Sequence, residues 1–417
     1  MRKLRIFLLL IVVGMLIVGC SPDEEETSAP AEDGELSGEI TVWAHPFTGE
    51  GDAEAKMWEE VIASYEEENG VTVNFEQIPW GNRDQKILTA LAAGNGPDVF
   101  YAIPDQMPQY ASEGLLLELD PYLKDFDMSD FVESSLVSTQ WKDKTYGLPI
   151  LQEAYTFFYN NKIVEAIGED PENLPTTWAE FEEWSKKAKE EGYYSLSYPG
   201  GGSMNGTLYP WLWQNGGKVL TQDDEILINN EQGVETFEFI NKMYEEGWIP
   251  EDSITAQEHN ALWDGGEIMT ILGSGITLSN LLAKDQIDFT IAPPLKKEEQ
   301  VTYGTTGMFV VTKNSDNPSA AAEFVKTVTN SENQRKFNTV TQYIPTRKSA
   351  KDIFDDQEYL SQLSEYTQYA LPGVIHPKGR SIMPAIQAEV QTMMEGKKTP
   401  QEAADAAAEG IQAELDK

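Results

Sequence analysis

The sequence predicts an α/β fold built as two lobes or domains, and three observations carry that expectation. Extended apolar segments alternate with amphipathic helical ones from Glu39 to Ile103, the same pattern resumes after residue 300, and 417 residues exceed what one ordinary core organises. Alternation of this length implies a mainly parallel, doubly wound sheet, a fold that binds ligands in clefts at strand ends.

Each element follows from local pattern. A strand is expected at 39–44, and then a helix at 52–68 whose Trp58, Val61, Ile62 and Tyr65 share one face. Asn69-Gly70 stops that helix, and Val71, Val73 and Phe75 alternate as the next strand. Ile87, Leu88 and Leu91 mark a helix at 83–93, Gly94-Asn95-Gly96-Pro97 breaks it, and 98–103 reads as an apolar strand. Residues 144–147 look like a turn and 148–159 like two short extended pieces. Thr177 can cap a helix bearing Trp178, Phe181, Trp184 and Ala188, and Gly200-Gly201-Gly202 marks a loop inside an aromatic-rich stretch, 193–213. Helices at 230–246 and 259–264 precede strands at 268–272 and 288–292, and a strand at 307–312 and a helix at 319–329 resume the first pattern. The end is helical: 381–394, then a helix opened by Thr399-Pro400-Gln401-Glu402, with proline at its first position and capping-box spacing. No internal repeat occurs.

The amino terminus carries an address. Arg2, Lys3 and Arg5 precede an apolar run that ends in Leu16-Ile17-Val18-Gly19-Cys20, the pattern of a lipoprotein signal with its lipobox. The run from Ile6 to Val18 is short for a bilayer span of about 20 residues. Residues 1–19 are therefore expected to be a signal peptide, and Cys20, the sole cysteine, a lipid attachment site. Ser21-Pro22-Asp23-Glu24-Glu25-Glu26 opens a polar stretch, so 20–38 reads as the lipidated cysteine and a disordered acidic tether. The expected location is the extracellular face of the cell membrane. The formal net charge of −40 repels phosphate backbones, which argues against nucleic acid as a partner.

Enzyme motifs are missing. There is no phosphate-binding loop and no dinucleotide fingerprint. Gly273-Ser274-Gly275 fails as a nucleophile elbow because Leu272 stands where its first glycine belongs. His45, His259 and His376 are scattered, and the calcium-like start at Asp125, Asp127 and Ser129 lacks its turn glycine and its bidentate carboxylate. No cofactor and no metal are expected. Aromatic residues instead gather at element ends: Trp43, His45 and Phe47 after the first strand, Trp80 with Arg83 after the second, and Tyr198, Tyr209, Trp211 and Trp213 around the glycine loop. Flat rings stack on sugar C–H faces while carboxylates, amides and guanidinium groups bond hydroxyls, and the same rings can equally serve as core.

A series of short motifs spans nearly the whole mature chain in order. They are Ile40–Trp43, Gly96-Pro97-Asp98-Val99, Tyr146-Gly147-Leu148-Pro149, Tyr159-Asn160-Asn161-Lys162, Leu174-Pro175-Thr176-Thr177-Trp178, Trp213-Gln214-Asn215-Gly216-Gly217, Gly266-Glu267-Ile268-Met269, Ala292-Pro293-Pro294 and Ile344-Pro345-Thr346-Arg347. In order and spacing they resemble the extracellular solute-binding proteins of ABC importers, in the carbohydrate-binding family 1 branch of the maltose-binding type. The resemblance implies a two-lobed periplasmic-binding-protein-like fold with the ligand cleft between lobes joined by a multi-crossing hinge. Expected crossings fall near 149–152, 294–302 and 339–344. Expected lobes are 39–150 with 299–340, and 151–298 with 341–417.

The resemblance also nominates residues. Glu153 falls on a glutamate that bonds a sugar hydroxyl, and Tyr209 and Trp211 fall in an aromatic-bearing segment of the site. Asp105, Tyr303 and Arg380 are further candidates at lobe edges, beside Trp43, His45, Phe47 and Trp80. Two sugar-stacking tryptophans of the family are replaced, by Gly275 and Met383, which implies a glycan other than maltodextrin. The function implied is a monomeric, lipid-anchored receptor that performs no covalent chemistry. It would capture a sugar or oligosaccharide and deliver it to an ABC permease and its ATPase. A receptor for a polyamine, polyol phosphate or organic acid is the alternative, and an extracellular glycoside hydrolase the remote one.

Overall fold

The computed structural model describes residues 36–48, 52–81, 83–284 and 286–417. The expected signal peptide, Cys20 and all but the last three residues of the expected tether lie outside them. The chain lays down β1 (Gly38–Ala44), β2 (Val71–Gln77) and β3 (Val99–Ala102), then a small hairpin of β4 (Gln140–Trp141) and β5 (Lys144–Thr145). β6 (Gly147–Gln152) and β7 (Thr156–Asn160) follow in close succession, then β8 (Tyr194–Leu196), β9 (Ile268–Gly273) and β10 (Phe289–Ala292). β11 (Thr302–Tyr303), β12 (Thr306–Val311) and β13 (Ala370–Leu371) come last.

These strands form two principal sheets, ordered β2-β1-β3-β12-β6 and β10-β7-β9-β8. Only β1–β2, β1–β3 and β8–β9 pair parallel within them, so the sheets are mixed rather than mainly parallel. The reason is topological. β12 returns to the first sheet from the second, so its direction is not set by a local crossover helix. Residues 144–147 are not a turn either. The turn lies at Lys142 and Asp143, both at positive φ (49° and 62°), and Lys144 pairs back on Trp141.

Each sheet has its own core, which makes the molecule two-lobed. Ile40, Val42, Val99, Phe309 and Val311 pack under the helices Ala53–Asn69, Pro318–Val328 and Ser331–Thr341 through Trp58, Tyr65, Phe324 and Phe337. Phe157, Tyr159, Phe181, Trp184, Trp211, Phe237, Ile386 and Ile411 fill the second lobe. Two of its helices, Trp178–Glu190 and Pro400–Leu415, start on complete capping boxes at Thr177/Glu180 and Thr399/Glu402.

The lobes are tied where β6 gives way to β7 and where β10 gives way to β12. Between β6 and β7, Glu153 N–H donates to the Thr305 carbonyl (2.9 Å) and Tyr155 N–H to the Tyr303 carbonyl (2.8 Å). Gln152 N–H donates to the Ile344 carbonyl (2.9 Å), which brings a third segment alongside. Beyond it, Thr346 Oγ1 and Arg347 Nη1 donate to the carbonyls of Pro149 and Asp127, so 346–347 remain on the first-lobe side. Gly304 sits at the narrowest point: a Cβ there would lie 2.2 Å from the Glu153 carbonyl oxygen and 2.4 Å from Ala370 Cβ.

Candidate ligand-binding cleft

The first lobe contributes an aromatic cluster at the carboxyl ends of β1 and β3. β1 ends at Ala44, so His45 and Phe47 emerge from the sheet edge. His45 stacks on Trp80, with centroids 4.2 Å apart and planes 28° apart, and meets Tyr101 edge-on at 5.6 Å. Phe47 lies edge-on to Trp80 (5.7 Å), Tyr101 (5.0 Å) and Tyr343 (6.2 Å). Trp80 is fixed by its Nε1–H donating to the Pro46 carbonyl (2.7 Å) and by the Arg83 guanidinium 4.8 Å from its ring centroid, yet it stays 37% exposed. The His45 ring is buried, burial lowers its pKa, and its Nδ1 lies 2.9 Å from the Ile78 carbonyl. It stacks beneath Trp80, where burial favours the uncharged ring.

A polar wall comes from both lobes and the hinge. Glu153 is 9% exposed, its Oε1 has no partner, and desolvation raises its carboxyl to about 7, an effect the Ser274 hydroxyl partly offsets. Asp105 Oδ1, Asn205 Oδ1 and the Tyr209 hydroxyl are likewise buried without a partner. Asp105 is close enough to Tyr209 and Tyr303 for its charge to add to the burial that raises both phenols, and burial raises its own pKa against the pull of Arg380 and Arg83. Tyr303 meets Tyr155 edge-on at 5.1 Å. Asn205 is carried by a tightly folded loop. A Cβ on Gly200 or Gly201 would strike the carbonyls of Ser253 (2.5 Å) or Thr255 (2.2 Å), and Gln387 donates to the carbonyls of Gly200 and Gly202 (2.8 Å each). Beside Glu153 a cavity of about 40 Å³ is lined by Phe47, Gly275, Ile276 and Tyr343 among others.

The structure thus brings together His45, Phe47, Trp80, Asp105, Glu153, Tyr209 and Tyr303. It does not bring in Trp43 or Trp211. Trp43 packs among Ile78, Ile87 and Phe100, with the Lys86 ammonium 4.5 Å from its ring centroid. Trp211 packs on Trp178 (5.3 Å), Phe181 (5.6 Å) and Phe157 (6.0 Å) in the second core. Both rings serve burial. Arg380 reaches the cleft mouth from just before the helix Met383–Met394, but is already paired with Asp84 (2.7 Å) and lies 3.5 Å from Asp105.

Sequence reasoning missed Tyr101, Tyr155, Tyr343, Asn205 and Asp84. Tyr155 carried a usable signal, since it stands two residues after Glu153 where the chain is extended. Tyr101 was masked by the apolar run around it.

Among the described residues no group of histidine, cysteine or carboxylates is arranged to hold a metal ion, and no helix is long and apolar enough to cross a membrane.

Comparison with known proteins agrees with this architecture. The model of the bacterial extracellular solute-binding protein family matches residues 60–366. A galactooligosaccharide-binding protein of Bacillus subtilis (strain 168) is 26% identical over 99% of this chain and 97% of its own length. The cyclic α-maltosyl-1,6-maltose binding protein of Arthrobacter globiformis superposes with a TM-score of 0.79 at 20% identity, covering 90% of this chain and 98% of that one. An ABC substrate-binding protein of Listeria monocytogenes, solved with cycloalternan, gives 0.73 at 22% identity over 91% and 99%. These structures share the fold. With most of its length matched by the family model, the chain belongs to the bacterial extracellular solute-binding proteins.

Proposed function

We propose that this chain captures a neutral oligosaccharide outside the cell and hands it, chemically intact, to an ABC permease. The observation that carries the reading is the polar wall: Asp105 Oδ1, Glu153 Oε1, Asn205 Oδ1 and the Tyr209 hydroxyl are buried without partners, beside an exposed, braced Trp80. A buried oxygen left unpaired costs about 1–3 kcal/mol, so a ligand rich in hydroxyl donors is favoured there. The carboxylates Asp84, Asp105 and Glu153 against Arg83 and Arg380 give the cleft no excess of positive charge, which disfavours a phosphorylated ligand. The sugar-binding names of the relatives support the same class.

In this reading the lobes are 39–150 with 299–340, and 151–298 with 341–417 except that 346–347 bond back to the first lobe, and the protein acts as a monomer. Lipid on Cys20 and an acidic tether hold it at the extracellular face of the cell membrane, within reach of the permease. Its bound sugar is not hydrolysed.

A thermal-shift screen tests the proposal, with neutral oligosaccharides beside spermidine, glycerol phosphate and citrate. Ligand at a hundred times its Kd stabilises the folded state by about 2.7 kcal/mol. A sugar is expected to raise Tm and to be recovered unchanged by chromatography. A shift with one of the charged solutes alone, or cleavage of the sugar, overturns the reading.

A further inference from the structure

We infer that Glu54 is a positioning residue for sugar capture: its buried carboxylate fixes the segment 45–48 and, through it, the aromatic wall of the first lobe. This rests on the oligosaccharide reading above and adds to that site a residue that acts from behind it. Glu54 is the second residue of the helix Ala53–Asn69, where the helix dipole favours negative charge, and it is buried. Its carboxylate reaches back across the chain. The two oxygens accept from the Phe47 N–H (3.1 and 3.0 Å), the Thr48 N–H (2.8 Å), the Thr48 hydroxyl (2.8 Å) and the Gln77 side-chain amide (2.7 Å). Every one of these partners is a donor, which suits a carboxylate, an acceptor with about four lone-pair sites. The bonds offset the cost of burying it.

What they hold is the wall. The β1–β2 ladder ends at the pair Ala44 and Gln77, so beyond it the sheet no longer orders the chain. Phe47 is gripped at its own N–H. One residue earlier, the Pro46 carbonyl accepts the Trp80 indole N–H (2.7 Å). Gln77 Nε2, which donates to Glu54, also lies 3.4 Å from the carbonyl of His45, the residue whose ring stacks on Trp80. Three rings thus take their places from one short stretch of backbone, and a carboxylate on the next helix sets that stretch. An amide at position 54 keeps the shape but turns an NH2 group toward donors.

The test uses the full chain labelled with 5-fluorotryptophan, with maltotriose and galactotriose as titrants. Fluorine NMR identifies the Trp80 resonance by its loss in Trp80→Phe, and the Trp211 resonance in the same way. In sugar-free protein, Glu54→Gln is expected to move the Trp80 signal while that of Trp211, in the second core, stays in place. The same variant should weaken the trisaccharide that binds by about tenfold in calorimetry. Thr48→Val removes one donor and leaves the carboxylate, so it should act in the same direction with a smaller effect, and it decides the matter if Glu54→Gln does not fold. A carboxylate that only stabilises its helix would lower Tm and move neither readout. A Trp80 signal or a trisaccharide affinity unchanged in the folded variants therefore overturns the positioning role and leaves the oligosaccharide reading standing. Wild-type protein that binds neither titrant overturns that reading itself, and the role with it.

Discussion

At the scale of single residues, Glu153 is the most informative side chain. Its folded pKa of about 7 lies above the ordinary 4.5, so the native state holds a proton that the unfolded chain has already lost between those values. Stability therefore falls as pH rises through this window and levels off above it, by up to about 3 kcal/mol. Glu153→Gln, which keeps the shape and drops the charge, should melt higher than wild type at pH 8 and converge with it near pH 4.5. Parallel melting curves at both pH values would mean that Glu153 is solvated. The same variant should weaken oligosaccharide binding by about ten- to a hundredfold, the worth of a charged hydrogen-bond acceptor. Trp43 and Trp211 show where residue-level reading stopped. An aromatic at an element end can face the cleft or the core, and the choice depends on packing partners remote in sequence, such as Ile87 against Trp43 and Phe157 against Trp211.

Among the elements, those governed by local periodicity were legible: the strand–helix alternation from β1 to β3, the helix cap at Thr177, the capping box at Thr399, and the split of 148–159 into β6 and β7. Pairings between distant segments were not, because nothing local encodes them. β11 pairs with β13 across some seventy residues, and β12 slots antiparallel between β3 and β6. Gly304 belongs with these, since its need for glycine arises only when Glu153 and Ala370 close around it. Gly304→Ala should therefore destabilise the protein by about 1–3 kcal/mol, the usual cost of overpacking, and should lower sugar affinity by displacing Glu153. Urea unfolding and calorimetry check the two effects. Unchanged stability together with unchanged affinity would show that the hinge gives way freely at this point.

For the whole molecule, two lobes with separate cores meet across an arrangement that buries Glu153 and sets Arg380 against Asp84 and Asp105. Glu153 is 9% exposed and the cavity beside it, about 40 Å³, has room for little more than water, so in the proposed reading the lobes part for a sugar to enter. A ligand favours reclosure only by its greater affinity for the closed form, and contacts from both lobes supply that difference. The proposed anchor is separable from this clamp. Cys20→Ala should release folded, sugar-binding protein into the medium, whereas persistence in the membrane fraction would contradict a lipid attachment there. The clamp itself is tested most directly by small-angle scattering of the purified protein with and without saturating oligosaccharide. The account predicts a radius of gyration that falls at saturation, and one that stays constant while calorimetry reports bound sugar would contradict it.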